Sequence, residues 1–157
     1  MTNHATSCYN NYRKRKEIQN MKIYLDMDGT IANLYGVENW LEDLINSNPR
    51  PYEVAEKMVN ESTLKALLEN GFELGIISWL SKNGTKEYNR EVRKAKRNWL
   101  KANYPNIKFS EIHIVKYGTP KSKVANEKNA ILFDDEERNR NEWKGLAINA
   151  NILPLIR

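Results

Sequence analysis

Five short apolar segments, separated by stretches with helical spacing, constrain the fold of this chain most. We interpret them as buried strands at 22–25, 72–77, 111–115, 130–133 and 146–149. Strands that alternate with helices pair in parallel through right-handed crossovers. At 157 residues the chain is long enough for one core and short for two. We therefore expect one α/β domain of Rossmann-like, three-layer form, with a mainly parallel sheet and helices on both faces.

Apolar residues at helical spacing predict helices between these strands, at 35–46, 51–58, 62–70, 85–102, a short stretch from Lys121, and 136–144. The helix at 85–102 has two faces. Its apolar face carries Tyr88, Val92, Ala95 and Trp99, and its other face carries lysines and arginines, Lys96 among them. We interpret the basic face as solvated surface; attraction of nucleic acid is the sharper alternative.

Polar side chains follow four of the predicted strands. They are Asp26 and Asp28 after the first, Ser78 after the second, Lys121 and Lys123 after the third, and Asp134 and Asp135 after the fourth. The carboxyl ends of parallel strands meet at one edge of a sheet, where ligands bind in open α/β folds. The pattern therefore predicts that two acidic pairs, a hydroxyl and an ammonium group converge there.

This combination suits the transfer of a phosphoryl group. A phosphate ester that approaches a carboxylate nucleophile is repelled, and Mg²⁺ held by oxygen ligands at about 2.0–2.1 Å cancels that repulsion. Lysine and serine can then bind the remaining phosphoryl oxygens as charge builds up. A carboxylate nucleophile gives an aspartyl-phosphate intermediate, and a second carboxylate can act as general acid and base.

The ordered pattern resembles the haloacid dehalogenase superfamily of phosphohydrolases over about residues 22–150. LDMDGT resembles its first motif, IIS its second, a lysine near TPKSK its third, and ILFDDEERN its fourth. The resemblance implies that Asp26 is the nucleophile and a metal ligand. It makes Asp28 the general acid and base, with a backbone carbonyl on the metal, and Ser78 a phosphoryl-binding residue. Asp134 and Asp135 would complete the magnesium site.

The implied phosphate-binding set consists of Asp26, Gly29, Thr30, Ser78, Trp79 and Lys121. Gly29 permits backbone angles that a larger residue would resist. Trp79 has two interpretations, as a surface that stacks on a nucleobase and as ordinary packing beside a buried strand. In the third motif we prefer Lys121, which follows Pro120 at the start of a helical stretch, although Lys123 could also reach the site.

The family also implies a cap over the site, and residues 32–61 are the plausible insertion: short and helical. This insertion resembles that of the deoxyribonucleotidase branch. The resemblance implies a magnesium-dependent phosphatase, in particular a nucleotidase, acting on a small phosphorylated substrate. Two alternatives stay open. One is an enzyme similar to polynucleotide 3′-phosphatases, which acts on a nucleic-acid end, and the other is a non-catalytic protein that binds phosphate or nucleotides on the same fold.

Composition also bears on the N-terminal segment and on the cellular compartment of the protein. Residues 1–20 carry Arg13, Lys14, Arg15 and Lys16 against Glu17, a large part of the net charge of +5, and lack apolar periodicity. We interpret them as a disordered basic tail before a phosphatase domain at 21–157. The single cysteine, Cys8, and the absence of a long apolar run favour a cytoplasmic protein away from membranes. The sequence leaves the oligomeric state open.

Overall fold

One five-stranded sheet forms the centre of the chain in the computed structural model, which describes residues 21–125 and 129–157, together with Asn11. Its strands are β1 (Lys22–Leu25), β2 (Glu73–Trp79), β3 (Glu111–Val115), β4 (Ile131–Asp134) and β5 (Ala147–Asn149). They lie in the order β3-β2-β1-β4-β5, and every neighbouring pair is parallel. The predicted α/β class and Rossmann-like arrangement are confirmed.

The helices between the strands differ most from expectation near the first of them. They are α1 (Trp40–Ile45), α2 (Arg50–Val54), α3 (Glu61–Glu69), α4 (Lys86–Asn103), α5 (Lys121–Val124) and α6 (Glu137–Glu142), with 3₁₀ helices at Leu34–Gly36 and Ala150–Leu155. The single helix predicted at 35–46 is wrong in its first half. Asn39 adopts a left-handed φ of 59°, so the chain turns before Trp40. Leu34 is buried and Leu41 is 54% exposed, so the two do not share one apolar stripe.

Alternating residues of β1 pack on opposite faces of the sheet, because side chains alternate along a strand. Ile23 and Leu25 belong to a core cluster that includes Leu64 of α3 and Trp99 of α4. Tyr24 faces the other way, and its ring packs edge-on against Trp143 just after α6, with centroids 5.9 Å apart. Helices therefore cover both faces of the sheet.

The strand order reverses direction between β1 and β4. From β1 the chain continues to β2 and β3 on one side, whereas β4 and β5 extend the sheet on the other. Leu25 pairs with Phe133, and the amide of Asp26 donates to the carbonyl of Phe133 at 3.0 Å. Ligands bind where strand order reverses in open α/β sheets. Asp26 and Asp134 therefore lie side by side at the position that this rule favours.

The segment predicted as an insertion leaves and rejoins the domain at neighbouring points. Ala32 forms an antiparallel bridge with Lys57, and the amide of Met58 donates to the carbonyl of Ile31 at 2.9 Å. The indole of Trp99 on α4 donates to the carbonyl of Ala55 at 2.7 Å, which fixes the segment against that helix. Its function as a cap stays a prediction.

The sequence also led to predictions about the N-terminal tail and about membrane-spanning segments. The basic tail at 1–20 lies outside the described residues, apart from Asn11. Among the helices of the described segments, none combines the length and the apolar character that crossing a membrane would require.

Candidate functional site

Three carboxylates converge at the carboxyl edge of the sheet. Asp26, Asp134 and Asp135 each offer an oxygen, and these oxygens lie within 4.8 Å of one another. Asp26 follows β1, and Asp134 and Asp135 stand at the end of the adjacent β4. The convergence follows from the register of two parallel neighbours, whose acidic residues begin where the ladder ends.

Lys121 connects two of these acids. Its ammonium nitrogen lies 2.7 Å from Asp26 Oδ1 and 2.6 Å from Asp134 Oδ2, and the residue is 3% exposed. The first turn of α5 carries Lys121 to this position from the loop after β3. Lys123, the alternative, is exposed. Of the two lysines, therefore, Lys121 is the one that lies among the acids.

Further contacts fix the orientation of Asp134. Its Oδ1 accepts the amide of Glu136 at 2.9 Å, and its Oδ2 accepts the side-chain amide of Asn139 at 3.1 Å. Arg140 donates to the backbone carbonyls of Asp134 and Asp135 at 3.0 and 2.7 Å. Sequence reasoning missed Asn139 and Arg140, although Asn139 lies within the motif ILFDDEERN. A carboxylate held by this many donors keeps a single rotamer.

Burial and mutual repulsion perturb the acids. Burial and the neighbouring Asp26 raise the pKa of Asp134 to about 6, against the opposing effect of Lys121. Burial, Asp26 and Asp134 raise the pKa of Asp135 to about 7. Burial alone would lower the pKa of Lys121, but Asp26 and Asp134 outweigh it and raise this pKa. The ammonium of Lys121 therefore stays charged, whereas burial and crowding favour the protonated forms of Asp134 and Asp135.

The donor set fits a divalent cation. All three groups are hard oxygen ligands of the kind that Mg²⁺ prefers. Asp135 Oδ1 is buried and accepts no hydrogen bond within residues 21–125 and 129–157. A buried carboxylate oxygen without a partner is costly, and a metal ion would satisfy it. Magnesium at this cluster nevertheless stays a prediction, as does the backbone carbonyl of Asp28 as a further ligand.

The raised pKa values predict that stabilisation by Mg²⁺ depends on pH. Because the folded-state pKa values of Asp134 and Asp135 (about 6 and about 7) lie above the ordinary value of 3.8, the metal-free fold keeps protons that the unfolded chain releases. The protonated forms of Asp134 and Asp135 therefore stabilise the metal-free fold at low pH, and this stabilisation is lost as the pH rises through their folded-state pKa values. A metal requires the deprotonated acids. We expect Mg²⁺ to raise the melting temperature more near pH 8 than near pH 5.5, measured at matched ionic strength; equal shifts would contradict this.

Gly29 allows the loop after β1 to approach the acids. It has a left-handed φ of 78°, and a Cβ added to it would lie 2.3 Å from Asp135 Oδ2. Any side chain there would displace Asp135. Gly29 therefore shapes the site through its lack of a side chain. Thr30 is buried beside it, and its hydroxyl has no hydrogen-bond partner among the described residues.

Asp28 has a partner that the sequence did not reveal. Lys96 of α4 is 1% exposed, and its ammonium nitrogen lies 2.6 Å from Asp28 Oδ2. The interpretation of Lys96 as part of a solvated basic face is therefore wrong. The helical spacing could have indicated that Lys96 is buried, because it lies four residues after Val92 and three before Trp99, both on the buried face of α4.

Ser78 and Trp79 belong to β2 rather than to the turn after it. Ser78 is fully buried, and its hydroxyl accepts a hydrogen bond from Lys96 at 2.9 Å. Ser78 is not among the residues that line the cavity above the acids, and its contact with a phosphoryl group stays a prediction. Trp79 does face the cavity, but its indole donates to the carbonyl of Thr119 at 2.8 Å. It therefore offers a ring face rather than a free donor.

An aromatic cavity of about 530 Å³ opens above the acids. Asp26, Asp28, Lys121 and Asp135 line its polar end. Six aromatic side chains also line the cavity: Tyr35, Trp40 and Tyr52 from the insertion, Trp79 from β2, Tyr88 from α4 and Tyr117 from the loop after β3. Four of these rings form two pairs: Tyr35 with Trp40, whose centroids lie 5.1 Å apart, and Trp79 with Tyr117, whose centroids lie 4.8 Å apart. The cavity thus joins a charged floor to apolar, planar walls.

Comparison with known proteins adds no assignment to this geometry. No family model matches the chain, and no curated protein is significantly similar to it in sequence.

Proposed function

We propose that this protein is a magnesium-dependent phosphatase that hydrolyses a phosphomonoester, in particular a nucleotide, through an aspartyl-phosphate intermediate. One observation carries the proposal: Lys121 bridges Asp26 and Asp134 at 2.7 and 2.6 Å on the floor of the cavity, with Asp135 beside them. A fixed cation can stabilise charge on a transferring phosphoryl group, and a carboxylate beside it can act as the nucleophile. The resemblance of the four ordered motifs to haloacid dehalogenase phosphohydrolases supports the same reaction class.

In the first step a carboxylate oxygen of Asp26 attacks phosphorus. A bond forms between that oxygen and phosphorus, the ester bond breaks, and its electron pair goes to the leaving oxygen, to which Asp28 gives a proton. In the second step water attacks phosphorus and gives a proton to Asp28. The bond between Asp26 and phosphorus breaks, its electron pair returns to the Asp26 carboxylate, and inorganic phosphate leaves. Lys121 neutralises charge on the phosphoryl oxygens throughout. Mg²⁺ at Asp26, Asp134 and Asp135 would neutralise the remaining charge.

The cavity walls support a nucleotide as the substrate. A nucleobase presents a planar π face, and contact with aromatic side chains contributes about 1–3 kcal/mol per base. The ring pairs Tyr35–Trp40 and Trp79–Tyr117 offer such faces within the same cavity as the acids. A sugar phosphate has no planar base to contact these rings, so we expect it to be a poorer substrate.

A nucleic-acid end is the second candidate, favoured by one observation. Arg90, Lys94 and Arg97 of α4 are exposed on one basic surface, which suits contact with a phosphate backbone. This candidate predicts that a longer strand binds better than a mononucleotide, and that the advantage disappears in high salt.

A substrate screen tests the proposal. The purified chain is incubated with p-nitrophenyl phosphate, nucleoside monophosphates, sugar phosphates and 3′-phosphorylated oligonucleotides, with Mg²⁺ or with a chelator. We expect phosphate release that requires Mg²⁺ and is fastest with a nucleoside monophosphate. Preference for the oligonucleotide would favour the second candidate. Binding of nucleotides without release of phosphate from any ester would refute catalysis and indicate a binding protein.

A further inference from the structure

We propose that Lys96 is a positioning residue that holds the Asp28 carboxylate in the orientation needed to protonate the leaving group. This inference rests on the proposed function and deepens it. Lys96 is a buried cation outside the acidic cluster, and the reaction steps described above assign it no task.

The ammonium group of Lys96 makes three close contacts, one for each of its protons. It lies 2.6 Å from Asp28 Oδ2, 2.9 Å from Ser78 Oγ and 2.7 Å from the carbonyl of Trp79. The ring of Tyr52 covers it, with the nitrogen 5.0 Å from the ring centroid. Because a lysine ammonium has three donors and all of them are used, the group is held in one place.

Stability alone is a poor explanation for this lysine. Removing an ammonium group from water costs several kcal/mol, and a buried ion pair often gains little over apolar residues of similar size. Lys96 lies on an otherwise apolar stripe of α4, beside Val92 and Trp99. Apolar residues in place of both Lys96 and Asp28 would fill that space at lower cost. The energetic cost of burying this charge therefore suggests a functional role for Lys96. Its partner Asp28 lines the cavity.

The contact uses only one oxygen of Asp28. Oδ2 faces Lys96, and within the described segments no other hydrogen bond fixes this carboxylate. With Oδ2 held, Oδ1 is the oxygen left to face a substrate. The proton on Oδ1 can then pass to the bridging ester oxygen while the P–O bond breaks and its electron pair stays on the leaving oxygen. Without Lys96 the carboxylate would rotate, and protonation would become less frequent.

Two substrates of similar shape test this role. Phenyl phosphate and p-nitrophenyl phosphate share an aromatic leaving group, but phenolate leaves less readily and depends more on protonation. We expect Lys96→Met to lower kcat/KM for phenyl phosphate about tenfold more than for p-nitrophenyl phosphate. Lys101→Met, a change on the exposed side of the same helix, is the matched control and should leave both values unchanged.

A double-mutant cycle separates positioning from packing. Asp28→Asn should show the same selective loss, and Lys96→Met should add no further selectivity in that background, because the two residues act through one carboxylate. Circular dichroism and melting curves verify folding, and Lys96→Gln, which keeps a donor without charge, replaces Lys96→Met if that variant does not fold. Equal losses on both substrates, or independent effects in the cycle, would overturn the inference while the proposed function stands. A wild-type chain inactive on every ester would overturn both.

Discussion

We expect Asp26→Asn to abolish phosphate release and to leave the fold intact. An amide cannot replace the carboxylate as nucleophile, and loss of a covalent nucleophile lowers kcat by roughly 10⁴-fold or more in enzymes that act this way. The fold survives because the asparagine carbonyl can still accept the hydrogen bond that Lys121 now gives to Asp26 Oδ1 at 2.7 Å. Phosphate release and thermal melting, measured on one preparation, check both halves of the expectation.

The control for Asp26→Asn is Glu69→Gln, which also replaces a carboxylate with an amide but on the exposed end of α3. We expect this variant to keep full activity. Trapping adds a second readout: acid quenching during turnover should leave phosphate covalently attached to the wild-type chain and not to the Asp26 variant. Hydrolysis by the variant at the wild-type rate would refute the assignment of the nucleophile.

Lys121→Met has the second large effect, and it reaches stability as well as activity. Lys121 is 3% exposed and is paired with Asp26 and Asp134, which is itself fully buried. Breaking a buried pair by removing one partner costs about 3–5 kcal/mol, because the remaining charge is uncompensated. We expect a loss of this size in the free energy of unfolding without metal, together with loss of phosphate release. Denaturant titrations with and without Mg²⁺ measure it.

Lys123→Met is the matched control, since Lys123 lies two residues away on the same short helix and is exposed. It should change neither stability nor turnover. Adding Asp26→Asn to Lys121→Met should recover part of the lost stability, because it removes one of the two carboxylates left without a partner. A Lys121 variant as stable as wild type would show that the pair is not needed for folding.

The sequence predicts the acids of the site better than it predicts their partners. Asp26, Asp134 and Asp135 each follow an apolar strand, so parallel pairing alone brings them together. The positions of these acids at the ends of apolar strands are therefore enough to predict that they lie close together. The α/β class follows from the same alternation of strands and helices, and the structure confirms it.

The misses have a common physical cause. Lys96 lies in the middle of α4, at the border of an apolar stripe. Whether such a lysine points inward depends on which acceptors the rest of the fold places beside it. Here it meets Asp28, Ser78 and the carbonyl of Trp79, which lie 68, 18 and 17 residues away in sequence. Ser78 was misplaced because β2 runs to Trp79, two residues beyond the apolar run that defined it. Local pattern therefore predicts each element but not which donor meets which acceptor.

The exposed apolar residues of α1 have a consequence for how this protein can change over time. Leu41 and Ile45 line the mouth of the cavity although they are 54% and 73% exposed, and α1 lies between Asn39 and Ser47, both with left-handed φ. Neither residue contributes to the buried core of the sheet. Mutations in this one short helix should therefore alter which molecules enter, at little cost in folding, while the charged floor is inherited unchanged. Divergence of selectivity among descendants of this chain would then begin at α1.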